Sequence, residues 1–167
     1  MHIGSGGGEA APTLGELADQ LRGLLGTERD PVATLANAAA LVFSALPGLN
    51  WAGFYLAQGG ELVLGPFQGR PACIRIAFGR GVCGTAASER RSVRVADVHA
   101  FPGHIACDAA SRSELVIPLL DNAVVRGVLD LDSPRLDRFT ATDQAGLEHL
   151  AAIVTAQIDW PASPWRA

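Results

Sequence analysis

The stretch ELVIPLLDNAVVRGVLDLD, residues 114–132, determines the fold class of this chain. It predicts two β-strands joined by a polar turn, which is the pattern of an antiparallel hairpin. Near the end of the second strand, apolar and acidic residues alternate. Because side chains alternate across a strand, Leu129 and Leu131 are predicted on one face and Asp130 and Asp132 on the other. One face therefore belongs to a hydrophobic core, while the other presents two carboxylates.

Outward from this hairpin, the chain predicts helices and strands that flank a single sheet. Thr13, followed by a glutamate three residues later, is a capping box that starts a first helix. Asp30 and Pro31 start a second helix. The predicted helices are 13–25, 32–46, 79–89 and 143–158, and the further strands are 51–56, 61–64, 72–77 and 92–95. Residues 96–113 form a long connection, which in compact domains is often functional.

Helices at both ends of a mostly antiparallel sheet indicate the α+β class. The length of 167 residues favours one domain. We expect it to span residues 13–158, between a flexible glycine-rich tail at 1–12 and a C-terminal tail at 159–167.

Composition excludes several classes of function. The net charge is -4, and all 13 basic residues are scattered arginines, so the electrostatic footprint of a nucleic-acid-binding protein is absent from the sequence. The N-terminus lacks the basic and apolar regions of a secretory signal. The most apolar stretch, residues 41–57, is interrupted by Pro47 and Gly48 and is shorter than the roughly 20 residues of a spanning helix. We therefore expect a cytoplasmic protein with neither membrane nor nucleic-acid partners.

The chain has three cysteines, Cys73, Cys83 and Cys107. An odd number leaves at least one free thiol in any intramolecular pairing, so redox or nucleophilic use is one interpretation. The alternative is that the cysteines are small buried apolar side chains, and composition alone favours this alternative. A zinc site is a weaker alternative. His99 and His104 lie in the same region and suit zinc, but no Cys-x-x-Cys pair is present.

A thiol-redox site needs a nucleophilic thiolate, a second thiol and an acid for the leaving oxygen. Cys107 lies in the long connection beside His104 and Asp108. Cys83 is flanked by glycines at the start of a predicted helix, where we expect the helix dipole to lower its pKa. Cys73 is predicted on the preceding strand.

Three carboxylates offer the acid. Glu114 opens an otherwise apolar strand, and its pKa would rise in a closed pocket, which suits a general acid. Asp130 and Asp132 share a strand face, an unfavourable arrangement unless water, a cation or a ligand ammonium compensates them. The alternative is a strand end that emerges into solvent. Trp51, at a strand start, offers a flat apolar wall for a methyl or thioether group if it faces a pocket.

Four segments together resemble the free methionine-(R)-sulfoxide reductase family, whose fold is a GAF domain. They are GVCG at 81–84, VADVHAFPGHIACD at 95–108, SRSELVIP at 111–118 and GVLDLDSP at 127–134. The likeness runs from about the first helix to the last. GVCG alone is a weak signal, whereas the long tract through Cys107, with three cysteines at the family's spacing, is very specific.

The resemblance implies roles for the cysteines. Cys107 attacks the substrate and becomes a sulfenic acid as methionine departs. Cys73 resolves it by forming a disulfide, and Cys83 is the alternative or auxiliary thiol. The choice between these two stays open at this point.

The resemblance also implies a substrate pocket. Glu114, Asp130 and Asp132 bind or protonate free methionine-(R)-sulfoxide, while Trp51 and Tyr55 line the pocket, with Trp51 against the terminal methyl. It further implies thioredoxin as the reductant, a homodimer, and no cofactor or metal. The alternative function is a GAF sensor module that binds a small molecule or reports redox state without turnover.

Overall fold

In the computed structural model, which describes residues 11–105 and 108–161, six strands form one antiparallel sheet. The strands are β1 Trp51–Gln58, β2 Glu61–Gly69, β3 Arg75–Ala77, β4 Val93–Val95, β5 Ser113–Asp121 and β6 Val124–Ser133. Their order across the sheet is β3-β2-β1-β6-β5-β4. The helices are α1 Leu14–Leu25, α2 Pro31–Ala45, α3 Gly81–Glu89 and α4 Ala141–Gln157, and a short 3₁₀ turn spans Val98–Ala100. The α+β prediction is confirmed.

The β5–β6 hairpin contributes β6, which is one of the two central strands of the sheet. Asp121 pairs with Val124 across the turn, where Asn122 and Ala123 have φ values of 48° and 65°. Two consecutive left-handed residues are typical of the tight turn that matches the twist of an antiparallel hairpin. On its other edge β6 pairs with β1, so β6 is buried between two neighbours.

The two faces of the sheet support different layers. Leu129 and Leu131 of β6 belong to the main core, which packs against α1, α2 and α4. Val128, on the opposite face, belongs to a smaller core that includes residues of α3. The alternation predicted from the sequence therefore separates a helix-covered face from a face that is only partly covered.

The helix caps follow the sequence closely. Thr13 accepts a hydrogen bond from the Glu16 backbone, and the Glu16 side chain accepts one in return. Asp30 caps α2 through a 3.0 Å bond from the Ala33 backbone N–H. α4 begins earlier than predicted, because Thr140 and Asp143 form a second capping box.

The predicted strand 72–77 is wrong in extent, since only its last three residues pair with β2 as β3. Pro71 has no backbone N–H to donate to a ladder. The Cys73 carbonyl is occupied by the Tyr55 hydroxyl, which donates to it at 3.0 Å. Cys73 therefore lies in an irregular segment before β3, not on a strand.

Among the helices of the described residues, none combines the length and the apolar character needed to cross a membrane.

Gly127 permits the close approach of β6 to β1. A Cβ atom at this position would overlap the Tyr55 carbonyl oxygen. We expect Gly127→Ala to lower the free energy of unfolding by about 2 kcal/mol or more, because a buried strand must move to relieve the clash. Gly23→Ala is the matched control, since a Cβ on this exposed turn of α1 meets no atom within 4 Å. It should stabilise the protein by about 0.5–1 kcal/mol. Urea unfolding of both variants measures the difference, and equal midpoints would contradict the packing argument.

Candidate active site

A cavity opens on the partly covered face of the sheet, against the start of α3. The space between its walls, including the part open to solvent, is about 390 Å³. The described residues that line it are Tyr55, Ile76, Arg80, Gly81, Val82, Cys83, His104, Ile105, Asp108, Ser111, Glu114, Asp130 and Asp132.

Three carboxyl groups converge in this cavity. Glu114 lies on β5 directly opposite Asp132 of β6, and Asp130 lies two residues before Asp132 on the same face. Glu114 and Asp130 are only 7% and 6% exposed, so this is not a strand end in solvent. The structure therefore brings together all three carboxylates singled out from the sequence.

Burial raises the pKa of each of these carboxyl groups, because their charged forms are poorly solvated there. For Glu114, burial is the largest cause, followed by repulsion from Asp130 and then Asp132. Burial raises the pKa of Asp130 to about 7, although hydrogen bonds with Cys83 and Glu114 oppose it. Burial and then the charge of Asp130 raise the pKa of Asp132. The cluster therefore holds carboxylic-acid protons at higher pH than exposed carboxyl groups do.

One acceptor in the cluster is unused. Asp130 Oδ1 is buried, and within the described residues no group donates a hydrogen bond to it. A buried polar atom left in this way is costly, and it marks a position for a donor on a bound ligand.

Cys83 is a buried free thiol beside the same acids. Its Sγ lies 3.8 Å from Oε1 of Glu114. The expectation of a lowered pKa is wrong: burial, followed by the charges of Asp130 and Glu114, raises the pKa of the Cys83 thiol. Burial and the neighbouring acids outweigh the helix dipole, because the thiol is desolvated and lies among carboxyl groups. Cys83 is therefore a neutral hydrogen-bond donor.

The other two cysteines differ in how far the structure describes them. Cys73 is partly exposed and is disulfide-bonded. Its carbonyl accepts the Tyr55 hydroxyl, which ties the Cys73 segment to the cavity wall. Cys107 lies outside the described residues.

The aromatic residues stack in a row next to the cavity. Tyr55 lines the cavity itself. The Trp51 ring stacks on Tyr55 at 5.9 Å and on Phe67 at 5.2 Å between centroids, and its indole N–H donates to the Arg70 carbonyl. Trp51 is not among the described residues that line the cavity, so its contact with a ligand methyl stays a prediction.

Comparisons with known proteins identify the family of the chain. The GAF domain family matches residues 29–159. The free methionine-R-sulfoxide reductase of Escherichia coli is 52% identical over 137 residues, which cover 82% of this chain and 83% of that protein. The enzyme of the same name from Saccharomyces cerevisiae is 43% identical over 151 residues, 83% of this chain and 84% of that protein.

The chain belongs to the free methionine-R-sulfoxide reductase family.

A solved structure of the family from Neisseria meningitidis, in complex with its substrate, superposes with a TM-score of 0.85. It shares 44% identity, and the match covers 93% of this chain and 94% of that one.

Several residues at this site of the free methionine-R-sulfoxide reductase were given no role in the sequence analysis. Asn50 donates to Asp108 at 3.1 Å and to Ser111 at 3.0 Å, and the interaction with Ser111 partly opposes the rise in the pKa of Asp132. The Ala110 backbone N–H holds the pKa of Asp108 below its usual value, so this acid stays charged, unlike the buried cluster. The sequence gave little signal for these contacts, because Asn50 is far from Asp108 and Ser111 along the chain.

His104 was noted in the sequence only as a neighbour of Cys107 and as a zinc candidate. Its Nε2 lies 3.9 Å from Oε2 of Glu114, and its ring meets His99 edge-on at 6.5 Å between centroids. The sequence gave no indication that His104 faces Glu114, because the two residues lie on different elements.

The residues with metal-ligand geometry differ from those considered in the sequence. Ligand atoms of Cys83, Glu114 and Asp130 lie within 4.8 Å of one another. Each of these groups has a raised pKa and would have to lose its proton to bind a cation. As it stands, the donor set fits proton transfer better than metal binding.

The buried acids make stability depend on pH in a defined direction. The raised pKa of Asp130 means that the folded protein holds a proton until about pH 7, whereas the unfolded chain releases it near 3.8. Stability is therefore lost as pH rises through this window. We expect Asp130→Asn to raise the free energy of unfolding by about 1–3 kcal/mol at pH 8, and by much less at pH 4.

Urea unfolding of the reduced protein at the two pH values measures this difference. Asp19→Asn, at a side chain that is 81% exposed, is the control and should change stability by less than about 0.5 kcal/mol. A destabilised Asp130→Asn variant at pH 8 would contradict the electrostatic argument.

Proposed function

We propose that this protein reduces free methionine-(R)-sulfoxide to methionine with its own cysteine thiols. The observation that carries the proposal is the convergence of three carboxyl groups with raised pKa, two of them buried and Asp132 partly buried, in one small cavity. A sulfoxide oxygen is a poor leaving group unless it is protonated, and a buried carboxylic acid supplies that proton at neutral pH. The membership of the chain in the family directs this chemistry to methionine sulfoxide.

The cavity offers a complement to each part of a free amino acid. The unused Asp130 oxygen and the neighbouring Asp132 suit its ammonium group. No side chain caps the start of α3, so backbone N–H groups near Gly81 and Val82 suit its carboxylate. Tyr55, supported by Trp51, offers an aromatic wall for the methyl group. Recognition of both charged ends in an enclosed site disfavours a methionine sulfoxide that is part of a peptide.

The reaction proceeds in two steps. The thiolate of Cys107 attacks the sulfoxide sulfur and forms a transient S–S bond while Glu114 protonates the oxygen. The hydroxyl group then passes to the Cys107 sulfur as the S–O bond to the substrate and the transient S–S bond both break. Methionine leaves, and Cys107 is a sulfenic acid. A second thiol then attacks this sulfenic sulfur, an S–S bond forms, and the oxygen leaves as water that carries the resolving thiol's proton.

For the resolving thiol we propose Cys73 in preference to Cys83. Cys73 is disulfide-bonded, whereas Cys83 is a free and buried thiol whose raised pKa makes it a poor nucleophile. In a chain with three cysteines, this assignment pairs Cys73 with Cys107. Cys83 then acts as a hydrogen-bond donor to Glu114.

Turnover requires an external dithiol. We propose thioredoxin, in the cytoplasm, because its paired thiols reduce a disulfide without leaving a mixed disulfide on the enzyme. We also propose a homodimer, which sedimentation velocity tests directly. A sensor of the same fold binds its ligand without chemistry, so it has no need of three carboxyl groups with raised pKa beside cysteines.

The first test is the activity itself. Purified protein, thioredoxin, thioredoxin reductase and NADPH are mixed with racemic free methionine sulfoxide. We expect about half of the racemate to be consumed, with the S epimer left over, because one enclosed site accepts one configuration at sulfur. Racemic N-acetylmethionine sulfoxide is the matched substrate control and should react at least about 100-fold more slowly. Reduction of both epimers, or of neither, would overturn the proposal.

Four variants test the assigned roles by counting methionine formed from reduced enzyme without added reductant. Cys107→Ser should form none, because the attacking sulfur is missing. Cys73→Ser should form about one equivalent per chain and then stop at the sulfenic acid. Glu114→Gln should slow the first equivalent by about 10²–10⁴-fold through loss of the acid. If Cys83→Ser, not Cys73→Ser, is the variant that stops at the sulfenic acid, then Cys83 is the resolving thiol.

A further inference from the structure

The proposed reaction removes one proton from Glu114 in every turnover. Glu114 gives a proton to the sulfoxide oxygen, and that proton ends in the sulfenic acid and then in water. The resolving thiol supplies the second proton of the water, so Glu114 is left as a carboxylate. When the external dithiol reduces the disulfide, one thiolate and one thiol are restored and one proton is released to solvent. Glu114 must recover a proton from solvent before it acts again.

Glu114 reaches solvent only through the cavity that it lines. Only 7% of its surface is exposed, and its neighbours Asp130 and Cys83 are buried as well. A more exposed titratable group beside Glu114 would shorten the path of a proton from solvent. A suitable group contacts Glu114, is itself partly exposed, and exchanges protons near neutral pH.

His104 meets these three requirements. Its Nε2 lies 3.9 Å from Oε2 of Glu114, longer than a hydrogen bond, but catalytic hydrogen bonds are often long in an enzyme without substrate and tighten in the complex. The imidazole side chain is 14% exposed against 9% for the carboxyl side chain, so the ring has the greater access to solvent of the two. On its outer side is the exposed His99, whose ring meets it edge-on.

The surrounding charges bring the proton affinities of the two groups together. Burial, followed by the charge of His99, lowers the pKa of His104 from 6.5, while burial and the neighbouring aspartates raise the pKa of Glu114. An imidazole and a carboxyl group with similar affinities exchange a proton at little free-energy cost. Among the described residues, the titratable groups that face His104 or share its cavity are Tyr55 from β1, Glu114 from β5, Asp130 and Asp132 from β6, Cys83 and Arg80 from α3 and its cap, and His99 and Asp108 from the loop.

We propose that His104 is the proton relay that reloads Glu114 from solvent between turnovers. The proposal rests on the proposed function, in which Glu114 protonates the sulfoxide oxygen. His104 does not contact the reacting sulfur in this scheme. It acts only through Glu114, to which it supplies a proton.

The relay predicts a kinetic pattern that a purely structural role does not give. With saturating external dithiol and free methionine-(R)-sulfoxide, His104→Ala should release a first equivalent of methionine at close to the wild-type rate, because Glu114 starts protonated. Later turnovers should slow on the order of 10²-fold, so that a burst precedes a slow steady state. Added imidazole should restore the steady-state rate. The restored rate should vary with pH as the added imidazole itself gains and loses its proton.

The controls separate this proposal from its alternatives. His99→Ala removes the outer ring and should keep a steady-state rate within about threefold of wild type. His104→Gln keeps a hydrogen-bonding side chain without a titratable ring, and it should show the same burst even if His104→Ala folds poorly. A slow first equivalent in both variants, or a slow steady state that imidazole does not restore, would overturn the relay. A wild-type protein without activity would instead overturn the proposed function.

Discussion

The structure depends on the alternation of side chains along β6. Leu129 and Leu131 are drawn into the main core against the helices, and this fixes Asp130 and Asp132 on the opposite face. Because the period of a strand is two, a slip by one residue would move the leucines into the cavity and the aspartates into the core. The neighbouring strands β1 and β5 hold the register on both sides. Fold and site are therefore set by the same hydrogen bonds.

That arrangement has an energetic consequence. Three carboxyl groups kept away from water favour their protonated forms, and each resists ionisation near neutral pH. The same property that destabilises the folded chain as pH rises makes the cluster an acid. Cys83 follows this logic, since its thiol stays neutral and donates to Glu114. The larger core on the far side of the sheet supplies the stability that the cavity face lacks.

Much of the fold was predictable because its signals are local. The Thr13 capping box, the Asp30 cap and the β5–β6 hairpin each depend on residues close in sequence. The site was less predictable because its contacts join distant segments. The sequence indicated Glu114 and the two aspartates as a group, but it could not show that His104 faces Glu114 or that Asn50 reaches Ser111. The pKa of Cys83 was expected in the wrong direction because burial is a property of the tertiary structure. Likewise, the strand expected at Cys73 was shortened by a hydrogen bond from Tyr55, 18 residues away.

That hydrogen bond also joins the backbone of Cys73 to the aromatic row. Trp51 stacks on Tyr55, and the Tyr55 hydroxyl donates to the Cys73 carbonyl, so one ring contact and one hydrogen bond connect an indole to the main chain of Cys73. A rearrangement of the Cys73 segment would therefore change the surroundings of the Trp51 indole and its fluorescence, against the emission of the other two tryptophans of the chain.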